Sequence, residues 1–453
     1  MKRRLGKIAA AFLVLVLATA AATQAQTLTV LHSFRNSPDG AFPFAGLLRD
    51  AAGNLYGSTN AGGASGNCSG GCGTVFKLDT SGNETVLYSF KGGNDGATPG
   101  FGSLIRDEAG NLYGTTADGG SGGGCSFSFG CGTVFKLDPA GNETVLYSFK
   151  GGSDGESPVA GLIMDVAGNL YGTTQDGGSG SGCSFGCGTV FKLDPAGNFT
   201  VLHSFTGGSD GTQPLAALIF DQAGNLYGTT EEGGSGTCTV INGVSGCGTV
   251  FKLDPSGNET VLHTFTGGND GAAPLFVGLI MDIAGNLYGT TQIGGGSSSC
   301  SVGCGTVFKL DTSGNETVLH SFTGSPGDGA IPRAALIMDK AGNLYGTTSN
   351  GGASGFGTVF KLTGQTPQQA TQAIVNSVNT LFTQGVINGG QDNSLVVQLQ
   401  HAIGMMNAGK NNGAIGNLDS FISEVNDLLS SGVLSPSQAA SLISAAESVI
   451  ARL

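Results

Sequence analysis

The sequence predicts an all-β six-bladed β-propeller of four-stranded antiparallel blades, followed by a small C-terminal four-helix bundle. Three observations carry that expectation. Gly-Asn-Leu-Tyr-Gly begins at Gly53, Gly110, Gly168, Gly224, Gly285 and Gly342, and Gly-Thr-Val-Phe-Lys-Leu at Gly73, Gly132, Gly188, Gly248, Gly305 and Gly357. Val-Leu-(His/Tyr)-(Ser/Thr)-Phe begins at Val30, Val86, Val145, Val201, Val261 and Val318. Repetition at about 57 residues marks stacked supersecondary units, and four short strands per unit mark propeller blades. After Leu362 glycine becomes scarcer and a helical period appears.

The elements follow in chain order. Residues 1–25 read as a secretory signal peptide: Lys2, Arg3, Arg4 and Lys7 precede an apolar run from Ile8 to Ala22, and small residues lead to a cut after Ala25, with Ala22 as the alternative. No later segment approaches the roughly 20 apolar residues a membrane span needs. Residues 26–363 form the propeller. In one unit, Leu162–Asp165, Leu170–Thr174, Thr189–Leu193 and Thr200–Phe205 are the strands, and Asp194-Pro195-Ala196-Gly197-Asn198 has the chemistry of a tight hairpin. A parallel β-helix has shorter rungs and lacks such paired hairpins. Cutting the array at its longest linkers leaves Thr29–Phe34 without a blade and the last blade without a fourth strand. The N-terminal strand is therefore expected to complete blade six and remove its exposed edge. Residues 364–453 form the helical domain, in which Thr366, Pro367 and Gln369 start the first helix with a capping box and Ser435-Pro436-Ser437-Gln438 start the last.

The repeats, with Asp-x-Ala-Gly-Asn-Leu-Tyr-Gly-Thr-Thr as their core motif, resemble the GloVer (Gloeobacter–Verrucomicrobia) tandem repeat of bacterial exported proteins of the choice-of-anchor type. They are more weakly similar to NHL-type blades through Pro-x-x-x-Leu-Ile-x-Asp-x-x-Gly-Asn-Leu-Tyr. Leu418–Val425 and the Leu434-Ser-Pro-x-Gln-Ala stretch are similar to the FIMAH-type helical domain appended to such proteins. The resemblance implies export and a repeat fold, and it implies no catalytic residues.

Ten cysteines fall in five local pairs: Cys68/Cys72, Cys125/Cys131, Cys183/Cys187, Cys238/Cys247 and Cys300/Cys304. Each pair lies in the loop between the second and third strands of a blade. An even count in an exported chain argues for disulfides, and two cysteines per loop without histidine are too few for zinc. In a meander these loops share one face with the Gly-Gly-x-Asp-Gly-x-x-Pro linkers. Elaborate loops on a rigid scaffold are where binding resides. The candidate ligand-binding residues on that face are Asp95, Asp154, Asp210 and Asp270 of the linkers, and Asp118, Asp176 and Glu232 beside the stapled loops. Phe127, Phe129 and Phe185 are candidate aromatic platforms. Such acids could hold calcium, but Asp before Gly is ordinary turn chemistry, and no cofactor is expected.

A net charge of −13, or −17 without the basic leader residues, excludes nucleic acid as a partner. His32, His203, His263 and His320 stand one per blade on outer strands and cannot converge on a metal. The repeated Lys77, Lys136, Lys192, Lys252, Lys309 and Lys361 look structural, paired with a repeated Asp. Arg49, Arg106, Arg333, Glu156 and Glu231 break the symmetry without forming a catalytic constellation. The expected function is a non-catalytic, monomeric extracellular or periplasmic binding protein. It would recognise a polysaccharide or surface component, with the helical domain as attachment module. The alternatives are a glycan lyase or hydrolase working near the propeller axis, or a purely structural surface protein.

Overall fold

The computed structural model describes residues 30–453 apart from 65, 127–128, 237, 239–245, 277 and 365, so the leader and Phe127 lie outside the described residues. It is a six-bladed propeller followed by four helices. Blade 3 is typical: Ile163–Met164, Leu170–Thr174, Thr189–Leu193 and Phe199–Ser204 pair in that order, all antiparallel. The strands fall within a residue or two of the sequence-based expectation.

The repeat motifs have direct local causes. Asp165 Oδ1 accepts from the backbone N–H of Asn169 at 2.9 Å, while Oδ2 accepts from Asn169 Nδ2 at 2.7 Å and the Tyr171 hydroxyl at 3.1 Å. The same Asp–Asn–Tyr lock recurs in the other five blades. It explains why Asp, Asn and Tyr repeat together. Gly172 is required for packing, since a Cβ there would stand 2.7 Å from Phe191 Cζ and 2.9 Å from Leu162 Cδ2. The repeated lysines do not pair with aspartate as expected. Each ammonium instead lies over the tyrosine ring of the adjacent strand, as with Lys192 5.7 Å above Tyr171, a cation–π contact.

Phenylalanines seal the seams between blades. Phe205, just past the outer strand of blade 3, meets Phe251 of blade 4 edge-on at 5.2 Å, and both are fully buried. Equivalent pairs are Phe90–Phe135, Phe149–Phe191, Phe265–Phe308 and Phe322–Phe360.

The N-terminal segment departs from expectation. Phe34 packs on Phe76 at 5.0 Å, and His32 Nε2 contacts Asp39 at 3.1 Å, so it stands beside blade 1 as an outer strand would. Residues 30–35 nevertheless form no strand. Blade 6 consists of Ile337–Met338, Leu344–Asn350 and Thr358–Leu362, with Ala330–Pro332 added on the second strand. Among the described residues nothing pairs with the outer edge of Thr358–Leu362. Val359 is 84% exposed, whereas its five counterparts are fully buried. Ring-on-ring packing by Phe34 anchors one end of the segment without bringing its backbone into hydrogen-bonding range of blade 6.

Helices α1 (Pro367–Thr383), α2 (Gly389–Asn407), α3 (Asn411–Ser430) and α4 (Pro436–Ile450) enclose a core that includes Val378, Leu399, Phe421 and Val425. The capping boxes at Thr366/Gln369 and Ser435/Gln438 form as predicted. A third, Asn388/Gln391, starts α2. The bundle docks on the minimal-turn face: Ser444 Oγ donates to the Ala284 carbonyl of blade 5 at 3.1 Å, and Arg452 lies against Gly342 of blade 6.

Candidate binding face

All five predicted disulfides form: Cys68–Cys72, Cys125–Cys131, Cys183–Cys187, Cys238–Cys247 and Cys300–Cys304, with Cα–Cα distances of 5.2–5.4 Å. Each pair lies between the second and third strands as expected, and its two members differ in depth. The first member of each pair is half-buried, but Cys72, Cys131, Cys187, Cys247 and Cys304 are fully buried core residues. The cause is their position immediately before the Gly-Thr-Val-Phe string, where the chain is already entering the buried third strand. Cys247 packs in one core cluster with Val250 and Phe265, and Cys304 packs likewise with Val307 and Phe322. Their carbonyls are also in use: Cys247 accepts from the Ala273 N–H and Cys304 from the Ile331 N–H of the following linker, both at 2.9 Å. These five cysteines therefore root the loops in the core and offer nothing to a ligand.

The stapled loops and the linkers do share a face, and they touch. Gly92, Gly207, Gly267 and Gly324 of the linkers lie directly under a disulfide, so that a Cβ on Gly92 would stand 2.5 Å from both Cys68 Sγ and Cys72 Sγ. Glycine at these points lets the staple rest on linker backbone in positive-φ geometry that other residues adopt at a cost.

The linker aspartates serve their own turns. Asp95 accepts from the Tyr88 hydroxyl and the Lys91 N–H, both at 2.9 Å. Asp154 likewise accepts from Tyr147 and Lys150. Asp210 accepts from Thr206 Oγ1 at 2.6 Å and faces His203 at 3.6 Å, and Asp270 repeats this with Thr266 and His263. Burial opposes ionisation of Asp210, yet the nearby His203 and hydrogen bonds from Thr206 hold its carboxyl below the usual range. These groups stand one per blade, and the structure does not bring them together. Among the described residues, the one set of three close metal-ligand atoms is Cys125, Cys131 and Glu156, whose sulfurs are consumed by their disulfide.

The loop acids lie deeper. Asp118 accepts from Thr98 Oγ1 at 2.7 Å, and burial raises its carboxyl. Asp176 and Glu156 adjoin across a backbone bridge, at 4% and 2% exposure, with Glu156 Oε2 capped by the Ser126 N–H at 2.7 Å. Burial, then the charge of Glu156, pushes Asp176 up to about 7. Glu232 is fully buried, its oxygens have no partner among the described residues, and burial raises it. Glu231 is pushed to about 7 by burial and by Glu232, against the pull of Arg333. Two of the symmetry-breaking residues thus lie near enough for the charge of one to act on the other. Of the predicted platforms, Phe129 and Phe185 stand at the tips of stapled loops, 75% and 53% exposed.

The centre of the face holds what sequence reasoning missed. Ala117, Val159, Leu215 and Leu275, from four successive blades, converge in one buried apolar cluster near the axis. Beside them Phe42, Phe44, Phe101 and Phe276 form a row of near-parallel rings. Successive centroids are 5.9, 5.8 and 6.4 Å apart and the interplanar angles are 15°, 15° and 12°. The rings are 60%, 62%, 39% and 40% exposed. Phe101 enters from blade 2 and Phe276 from blade 5, which are opposite one another in a six-blade ring. A signal was available: these two linkers carry four residues between Pro and the next core Leu, where the other four carry three.

Fold and face together define a class, a disulfide-stapled repeat propeller with a helical appendage docked on its plain side. The chain belongs to the Gloeobacter/Verrucomicrobia repeat family, whose model matches residues 18–181 and 237–429. Among curated proteins none matches. Similar solved structures include a luciferin-regenerating enzyme, at 14% identity over 72% of this chain and 92% of that one, with a TM-score of 0.42. A protein of unknown function from Dyadobacter fermentans is 10% identical over 72% and 97% of the two chains, TM-score 0.39. A family AA12 carbohydrate-active enzyme from Trichoderma reesei is 11% identical over 73% and 93%, TM-score 0.37. None of these likenesses bears on substrate. Five disulfides are what a chain in an oxidising, extracytoplasmic compartment carries. No helix among the described residues is long and apolar enough to cross a membrane.

Proposed function

We propose that this is a non-catalytic binding protein, exported through the leader at residues 1–25, that engages its ligand with the stapled-loop face. Its FIMAH-like helical domain, 364–453, serves as the attachment module. One observation carries this reading: among the described residues, the staples, the loops they close and the exposed aromatic row lie on one side, and the other side carries tight turns and the docked bundle. Rigid loops lower the ordering cost of binding, which is the physical use of a staple too short to add much stability.

The test is an array of polysaccharides and peptides probed with mature protein (residues 26–453), oxidised and reduced. Binding that disappears on reduction, while the melting curve still shows a folded propeller, supports the reading. Binding indifferent to reduction and to Phe129→Ala or Phe185→Ala moves the site off the stapled loops.

Glu231 favours a second reading, a glycan-active enzyme. A carboxyl titrating near 7 beside a guanidinium suits general acid catalysis. Release of reducing ends from a bound glycan, abolished in Glu231→Gln, would establish it.

A further inference from the structure

Four phenylalanines exposed side by side are costly, since each forgoes roughly 1.5–3 kcal/mol of burial. Contiguous exposed apolar patches mark sites of interaction. Phe276 is also held in strained backbone, with φ of 55°, whereas the φ of 59° at Phe42 recurs before the proline of every linker. The extra linker residues that present Phe101 and Phe276 break the repeat in two opposite blades, although the sister linkers close the axis without them.

The geometry of the patch narrows its ligand. Leu275, the chain neighbour of Phe276, is buried with Ala117, Val159 and Leu215 at 5–9% exposure, so the row adjoins a packed apolar cluster. A row of rings at steps of about 6 Å suits a ligand that repeats rings of its own, as bases stack on successive aromatics in single-strand binders. The common polymers of that kind are nucleic acids and polysaccharides. The net charge of −13 repels phosphate and uronate chains.

We infer that the mouth of the stapled face binds a neutral polysaccharide, with successive sugar rings laid by their C–H faces against Phe42, Phe44, Phe101 and Phe276. This rests on the reading of that face as the binding surface and names its ligand class and subsites.

The test is calorimetric titration of the full mature chain with cellohexaose, chitohexaose, maltohexaose and laminarihexaose. The matching disaccharides, alginate oligomers and single-stranded DNA serve as comparators. At least one neutral hexasaccharide should bind, more tightly than its disaccharide and in preference to both anions. Phe44→Ala and Phe101→Ala should each weaken it about tenfold. These side chains are exposed, so unchanged thermal melting verifies folding. Four results overturn the inference: no hexasaccharide binds, the anions bind better, affinity ignores both substitutions, or sedimentation shows the row to be a contact between two copies. Binding that survives Phe44→Ala and Phe101→Ala but fails in Phe129→Ala or Phe185→Ala refutes the axial row alone and leaves the stapled face standing. Binding untouched by all four refutes both.

Discussion

Val190 and Val359 occupy the same place in the same repeated strand, and the structure gives them opposite environments. Val190 is fully buried in blade 3 and pairs opposite His203, while Val359 is 84% exposed on the unpaired edge of blade 6. Val190→Ala removes two buried methyl-sized groups at about 0.8 kcal/mol each, plus a cavity contribution, for a total of about 2 kcal/mol. Val359→Ala removes groups already in water and should change stability by less than about 0.5 kcal/mol. Urea unfolding of the two variants at matched concentration reads the difference as a shift in midpoint at constant slope. Equal destabilisation by both substitutions would refute the open edge and show that the N-terminal segment covers Thr358–Leu362 in solution.

Other outcomes follow from the same coordinates. Replacing Cys183 and Cys187 by serine should cost about 2 kcal/mol or less through the lost link on the chain-entropy account, because the closed loop is so short, and the fold should persist by circular dichroism. Burial, then the charge of Asp270, lifts Glu316 to about 7, and Glu143 is lifted to about 7 by burial and then Asp95. A carboxyl raised in the folded state gives stability that is complete below its unfolded value near 4.5 and is lost as pH rises through about 7. Glu316→Gln should therefore flatten the fall in melting temperature between about pH 5 and 8, read by scanning fluorimetry. The turn aspartates act oppositely: hydrogen bonds from Asn343, with that from Tyr345, hold Asp339 at about 2, so its contribution is present above about pH 4 and disappears towards pH 2. Asp165→Ala should destabilise by about 1–2 kcal/mol in urea, since Asn169 and Tyr171 lose their shared acceptor.

Much of this protein is legible residue by residue. The blades follow from strings whose causes are local: an aspartate that captures Asn and Tyr four and six residues on, a glycine under a phenylalanine, a cysteine pair closed within one loop. The helical domain follows from capping boxes at Thr366 and Ser435 for the same reason. The candidate site is less legible. Asp95, Asp154, Asp210 and Asp270 read equally well as ligands or turn residues in the sequence, and the tertiary structure shows each engaged with the strand end before it. The pairing of Cys247 and Cys304 was local and legible, but their burial was not, because the seam that covers them is supplied by the neighbouring blade. Whether Thr29–Phe34 closes the ring depends on the distance between blades 1 and 6, which no motif encodes, and among the described residues nothing pairs with that edge of blade 6. The aromatic row required the fold as well. Phe44 and Phe101 come from successive linkers and Phe276 from one three repeats further on, and they meet because a ring of blades brings every linker to one axis. A sequence reports contacts within a repeat; the curvature that joins distant repeats is set by packing between blades, and there the tertiary structure alone decided.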